Sequence, residues 1–224
     1  MELKEETIRE KERKKPIPIR ILREGYPYIL ILLIASLFLF VYGFSIPALL
    51  LLLLSGWVGF FFRDPRRTIP TEAKAIVSPA DGKVIKIASL TTPEGQKKVL
   101  VSIFLSLLDV HINRSPIKGK IVKIYHQPGR FYPAFKEDAS KANERNIVVI
   151  SNQQTSITLH QIAGIVARRV VLWKKEGDSL HQGERIGMIK FGSRVDLWLP
   201  SEVKIVVQSG QKVKGGSSII GRLG

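Results

Sequence analysis

The sequence predicts a mainly β domain of α+β class preceded by a helical hairpin, and three observations lead there. From Tyr26 to Phe62 no residue is charged over 37 positions. From Ala75 onward Val and Ile abound, with glycine or proline interrupting them about every 8–12 residues, the spacing of short strands and turns. Near the C-terminus, "KEGDSLHQGERIGMI" (175–189) and "QSGQKVKGGSSIIGRL" (208–223) share the skeleton G-x-x-[LV]-x-x-G-x-x-I-[GI]. Each copy reads as a turn, a strand and a second turn, the pattern of a flattened β-barrel of the barrel-sandwich kind.

Residues 1–25 form a charged segment at the membrane surface that carries no recognisable chemistry. The uncharged run 26–62 is membrane sequence: one span needs roughly 20 apolar residues, so 37 are too many for one and slightly few for two. Gly43-Phe44-Ser45-Ile46-Pro47 supplies a turn near its middle. The expectation is a tight hairpin of two short spans, or of two helices dipping into one leaflet. Lys14, Lys15, Arg20 and Arg23 precede it and Arg63, Arg66 and Arg67 follow, which places both ends, and the domain at 63–224, on the cytoplasmic face of the cell membrane. Strands are expected over 74–78, 82–89, 98–105, 119–126, 146–151, 156–162, 165–171, 186–191, 194–199 and 203–207, with "FYPAFKEDASKANERN" as a polar loop.

Composition narrows the function. The 224 residues include no cysteine, which excludes a disulfide framework, cysteine-ligated metal sites and a thiol nucleophile. The formal charge of +16 lies almost wholly beyond residue 26. Such a surface seeks anions, and the uncharged run selects anionic lipid over nucleic acid. A nucleic-acid partner would rest on charge alone, since the basic residues are scattered and no stacking motif accompanies them.

Polar residues interrupt the β pattern in four places. "VSPADGKVIKI" sets Asp81 in a tight turn that could simply bond its own backbone. "FLSLLDVHINRSPIKGKI" puts Asp109, His111 and Asn113 on alternate positions, so an extended chain aims them to one side. Asn143, Glu144, Arg145 and Asn146 close a loop with no hydrophobic reason to be there. Gly192 and Ser193 break "IKFGSRVDLWLP", where Val195, Leu197 and Leu199 alternate with Arg194, Asp196 and Trp198. A glycine inside a strand costs roughly 0.5–1 kcal/mol relative to alanine; a bulge or bend would justify it, and so would chemistry. Two classes of function stand open: a membrane-anchored barrel-sandwich adaptor without catalysis, and an enzyme at the membrane surface. Against the first, the lysine-centred tip motifs of carrier domains and an amphipathic helical pair after residue 63 are both missing.

The order of the motifs favours the second. R-D-P-x-R after the apolar run, S-P-A-D-G-K-V, D-V-H-x-N-R-x-P, Y-P-A-F followed by N-E-R-N, and F-G-S-R-V-D together resemble the phosphatidylserine decarboxylase family, most closely its short membrane-anchored form, which includes archaetidylserine decarboxylases. The resemblance implies that the precursor cuts itself between Gly192 and Ser193, leaving pieces 1–192 and 193–224, and that Ser193 becomes a covalent pyruvoyl group. It implies His111 as the base and Asp81 as its orienter, with Asn113, Arg114, Asn143 and Arg145 as supporting or substrate-binding residues. Longer members carry a second histidine where Arg114 stands, and a guanidinium cannot act as a base; His126 and His160 match no family motif. Implied too are a serine phospholipid substrate, no metal, and a heterodimer of the two pieces that pairs further. Gly216-Ser217 is a competing Gly-Ser pair, but a cut there would release only eight residues.

Overall fold

A computed structural model describes residues 20–92, 95–134, 142–164, 170–190 and 192–224. Most of the charged segment 1–25, part of the loop expected at 131–146, most of the strand expected at 165–171, and Phe191 at the end of that expected at 186–191 lie outside these residues. The chain falls into two compact units, Met1–Arg66 and Arg67–Gly224.

In the first unit, strand β1 (Arg20–Ile21) and a 3-10 turn (Arg23–Gly25) lead into helix α1 (Tyr26–Val41), followed by α2 (Ser45–Phe61) and strand β2 (Arg63–Asp64). β1 and β2 pair antiparallel and close the base of the hairpin. Gly43, with φ +84°, makes the turn between the helices. Pro47 falls in the first turn of α2, where a missing N–H costs no helical bond. Two small polar residues bring the helices together: Ser36 Oγ donates to the Ala48 carbonyl (2.7 Å) and Ser55 Oγ to that of Ile29 (3.4 Å). The outer faces are apolar and open, with Ile31 65% and Leu50 61% exposed. The stretch Arg23–Val41 is long and apolar enough to cross a membrane, and Ser45–Phe61 is shorter.

The second unit is mainly β, as the alternating pattern predicts. Its strands are β3 (Ala75–Val77), β4 (Gly82–Thr91), β5 (Lys97–Leu105), β6 (Ile112–Arg114), β7 (Gly119–Gln127), β8 (Arg145–Ser151), β9 (Ser156–Ile162), β10 (Val170–Leu172), β11 (Ser179–Leu180), β12 (Arg185–Ile189), β13 (Ser193–Pro200), β14 (Lys204–Ile205), β15 (Lys212–Val213) and β16 (Ile219–Arg222). One eight-stranded sheet has the order β11-β7-β8-β9-β13-β5-β4-β15, and two three-stranded sheets, β10-β12-β6 and β14-β16-β3, accompany it. Bulges in β4 and β7, at Val84/Lys86 and Ile121/Lys123, bend the large sheet.

β13 lies in the middle, paired antiparallel with β5 from Ser193↔Leu105 to Pro200↔Lys98 and with β9 from Arg194↔Ile162 to Trp198↔Thr158. Val195, Leu197 and Leu199 join Ile103, Leu105 and Leu159 in the main core. The opposite face of β13 is buried too, yet it is charged. Arg194 Nε donates to Asp196 Oδ1 (2.6 Å) and Arg194 Nη2 to Ser102 Oγ (2.8 Å), all at most 2% exposed. The period-two pattern thus separates an apolar face from a buried ion pair, where a half-buried strand would have met water.

Candidate active site

Ser193 opens β13, and the chain winds around it. β5 ends at Leu105, directly opposite Ser193. A turn follows in which Asp109 Oδ2 accepts from Ser106 N (2.8 Å) and Ser106 Oγ (2.7 Å). This carboxylate serves the turn, and the Asp109 carbonyl faces His111 Nδ1 at 2.9 Å. A carbonyl only accepts, so Nδ1 carries the proton and, in the neutral ring, Nε2 holds the lone pair. The chain then enters β6, which pairs with β12, and Ile189 N donates to the His111 carbonyl (3.2 Å). His111 is therefore tied to the strand that ends four residues before Ser193.

Ser193 is fully buried, and its Oγ has no hydrogen-bond partner among the described residues. Burying a hydroxyl without a partner costs about 1–3 kcal/mol, so an idle Ser193 would be a poor choice for this position. Gly192 has φ +58°, a left-handed conformation that glycine adopts without strain. Space is not its constraint, since a methyl group there would approach only Leu107 Cδ2, at 4.0 Å.

Asp81 Oδ2 accepts from Arg67 Nη2 (2.7 Å) and Oδ1 from Gly215 N (2.8 Å), and neither of its bonds is to His111. Burial raises its carboxyl pKa against the pull of Arg67 and the Gly215 N–H, and the Asp109 charge adds to the rise. The structure thus brings a backbone carbonyl to the imidazole, where the sequence suggested a carboxylate.

The supporting residues separate into groups. Asn113 and Arg114 are adjacent in a strand and point apart: Asn113 Oδ1 accepts from Gln161 Nε2 (2.7 Å), while Arg114 Nη1 donates to the Gly183 carbonyl (3.0 Å). Asn113 Nδ2 and Gln161 Oε1, both fully buried, have no partner among the described residues. Asn143 is a clamp. Its Nδ2 donates to the carbonyls of Tyr132 (2.8 Å) and Ala163 (2.7 Å), and its Oδ1 accepts from Tyr132 N (2.8 Å). Arg145 donates to Gln127 Oε1 through Nε (3.0 Å) and Nη2 (2.7 Å). It lies in the cross-strand row Arg145–Ile162–Arg194, on the charged face away from Ser193.

The other histidines lie elsewhere. His160 sits opposite Asp196 on that charged face, and burial, with Arg145 and Lys98 assisting, lowers its pKa to about 4. Above that pH its ring is mainly neutral. His126 Nδ1 meets Asn146 Oδ1 (2.8 Å) on β7, three strands or roughly 14 Å from β13. Ser217 belongs to a turn, its N–H donating to the Lys214 carbonyl (3.1 Å).

Sequence reasoning missed Gln161 and Gly164. The register β9–β13, which only the fold supplies, sets Gln161 opposite Val195. Gly164 follows β9 and meets the backbone of Gly192. A polar residue where β9 alternates Ile157 and Leu159, and a glycine just past the end of that strand, were the only signals.

The family model for phosphatidylserine decarboxylase matches residues 54–221. The chain belongs to the phosphatidylserine decarboxylase family. It is thereby a carboxy-lyase. A family member from Carboxydothermus hydrogenoformans, named phosphatidylserine decarboxylase proenzyme, is 45% identical over 209 residues, covering 92% of this chain and 98% of that one. All the motifs from Arg63 to Asp196 fall within the matched family region.

Proposed function

We propose that this chain is the precursor of a pyruvoyl-dependent decarboxylase that converts a serine phospholipid to its ethanolamine counterpart at the cytoplasmic face of the cell membrane, after cutting itself between Gly192 and Ser193. The observation that carries this reading is the buried, unpartnered Ser193 hydroxyl placed directly after a left-handed glycine, in a family with a member named as a proenzyme.

Each step falls to a residue of this chain. Ser193 Oγ attacks the Gly192 carbonyl carbon while His111 Nε2 takes the hydroxyl proton and returns it to the Ser193 nitrogen. The peptide C–N bond breaks and an ester takes its place. Loss of the Ser193 α-proton then expels the Gly192 carboxylate from Cβ and leaves dehydroalanine. Water converts that residue to a pyruvoyl group and releases ammonia. Asp81 supports the imidazolium by its charge. The buried start of β13 fits such a group, because Gln161 on the neighbouring strand, opposite Val195, and its partner Asn113 have amide hydrogen-bonding capacity to spare.

In turnover the pyruvoyl carbonyl supplies an electron sink for the carbon that loses carbon dioxide. His111 holds the proton that the α-carbon receives. Recognition rests on the serine phosphate, which diacyl and archaeal ether lipids share. The intact-mass spectrum of purified protein tests the reading. It should show pieces 1–192 and 193–224, the smaller blocked to N-terminal sequencing, and borohydride should abolish activity. One uncut chain with an unmodified Ser193 in an active preparation would refute it.

A further inference from the structure

We propose that Gly164 is a positioning residue for self-cleavage, the floor against which the Gly192 carbonyl is set for attack by Ser193; this rests on the cleavage reading above. A methyl group at Gly164 would lie 1.9 Å from the Gly192 carbonyl oxygen and 3.0 Å from its carbon. A Cβ essentially never comes within 3.0 Å of a heavy atom remote in the chain, so any side chain drives that carbonyl away by about 1 Å. The two glycines serve different ends: Gly192 is required by its backbone conformation, Gly164 by the absence of room.

The floor is fixed. Asn143 Nδ2 holds the Ala163 carbonyl (2.7 Å), and Ala163 N donates to the Glu144 carbonyl (2.9 Å). Ala134 Cβ stands 3.4 Å from the same hypothetical methyl and closes the space on that side. Because a peptide group is planar, pinning its oxygen fixes the plane of the bond and hence which face of the carbon meets Ser193 Oγ. The Asn-Glu-Arg-Asn motif thereby acts on the cut through Ala163 and Gly164.

The test uses the full chain. In Gly164→Ala the conversion of precursor to 1–192 and 193–224, followed by intact mass, should slow about 10²-fold, the usual result of misplacing a reacting atom by about 1 Å. Neutral hydroxylamine, which cuts esters and spares amides, should leave this precursor whole. In a Ser193→Ala background, Gly164→Ala should melt with its parent. Cutting at the wild-type rate, or an ester that hydroxylamine opens, overturns the proposal. Should Gly164→Ala fail to fold, Gly164→Ala/Ala134→Gly is judged by the same criteria, since it removes the Ala134 contact and leaves the Gly192 carbonyl as the group nearest the added methyl. Failure of both to fold in the Ser193→Ala background would show that Gly164 serves the fold, and the proposal falls. A wild-type chain left uncut at Gly192–Ser193 would sink the cleavage reading itself.

Discussion

The bond from His111 Nδ1 to the Asp109 carbonyl sets the tautomer of the imidazole. The proton stays on Nδ1, and Nε2 is the ring nitrogen that takes the Ser193 proton in the reaction proposed above. His111→Ala should therefore leave the precursor whole. If, as proposed, Asp81 supports the imidazolium by its charge, Asp81→Asn removes that support and keeps the Nδ1 bond, so it should cut more slowly than wild type and faster than His111→Ala. Time courses on denaturing gels rank the three chains. An Asp81→Asn chain as inert as His111→Ala would mean that the carboxylate leaves Arg67 to join His111 during the reaction.

At the scale of elements, β13 has two buried faces with opposite chemistry, and each makes its own prediction. On the charged face Asp196→Ala would strand the Arg194 guanidinium, which is 2% exposed, at a cost of about 3–5 kcal/mol; denaturation of the uncut Ser193→Ala chain measures it. His160 on that face gains its proton near pH 4 when folded and near 6.5 when unfolded. The unfolded chain thus binds more protons between those values, so stability is full above about pH 6.5 and falls by about 3 kcal/mol as pH drops to about 4. Melts of His160→Gln in the same background should lose this slope and keep the rest. The long strands β4, β5, β7, β8, β9 and β13 were legible in the sequence because each carries enough alternating positions to show its period. Of the shorter strands, β3 and β14 fall within the expected 74–78 and 203–207, and β11 and β15 within the strand of each repeat copy; β6 and β16 were not expected, because three or four residues show little period and become strands only through their partners. The site divides similarly. Ser193 and His111 stand in motifs, whereas Gly164 matters through an oxygen 28 positions later in the chain, and only the fold brings the two together. The carbonyl partner of His111 was hidden for a related reason, since any residue at position 109 would offer one.

At the scale of the whole molecule, Ser193, His111, Asp81 and Gly164 all belong to Arg67–Gly224. A chain lacking residues 1–62 should still cut itself, and should act poorly on lipid in bilayers for want of an anchor; loss of cutting would show that the hairpin is part of the catalytic fold. The pairing of β13 with both β5 and β9, together with β15 on β4 and β16 on β3, has a thermodynamic consequence. Once the bond before Ser193 is gone, the last 32 residues are held by strand pairing, core packing and side-chain bonds without a covalent link, and the denatured state consists of two molecules. Stability then follows mass action, and recovery from denaturant becomes a second-order process. The half-time for regaining structure should shorten as cut protein is made more concentrated and should stay constant for Ser193→Ala, so that one covalent bond separates a concentration-dependent refolder from a unimolecular one.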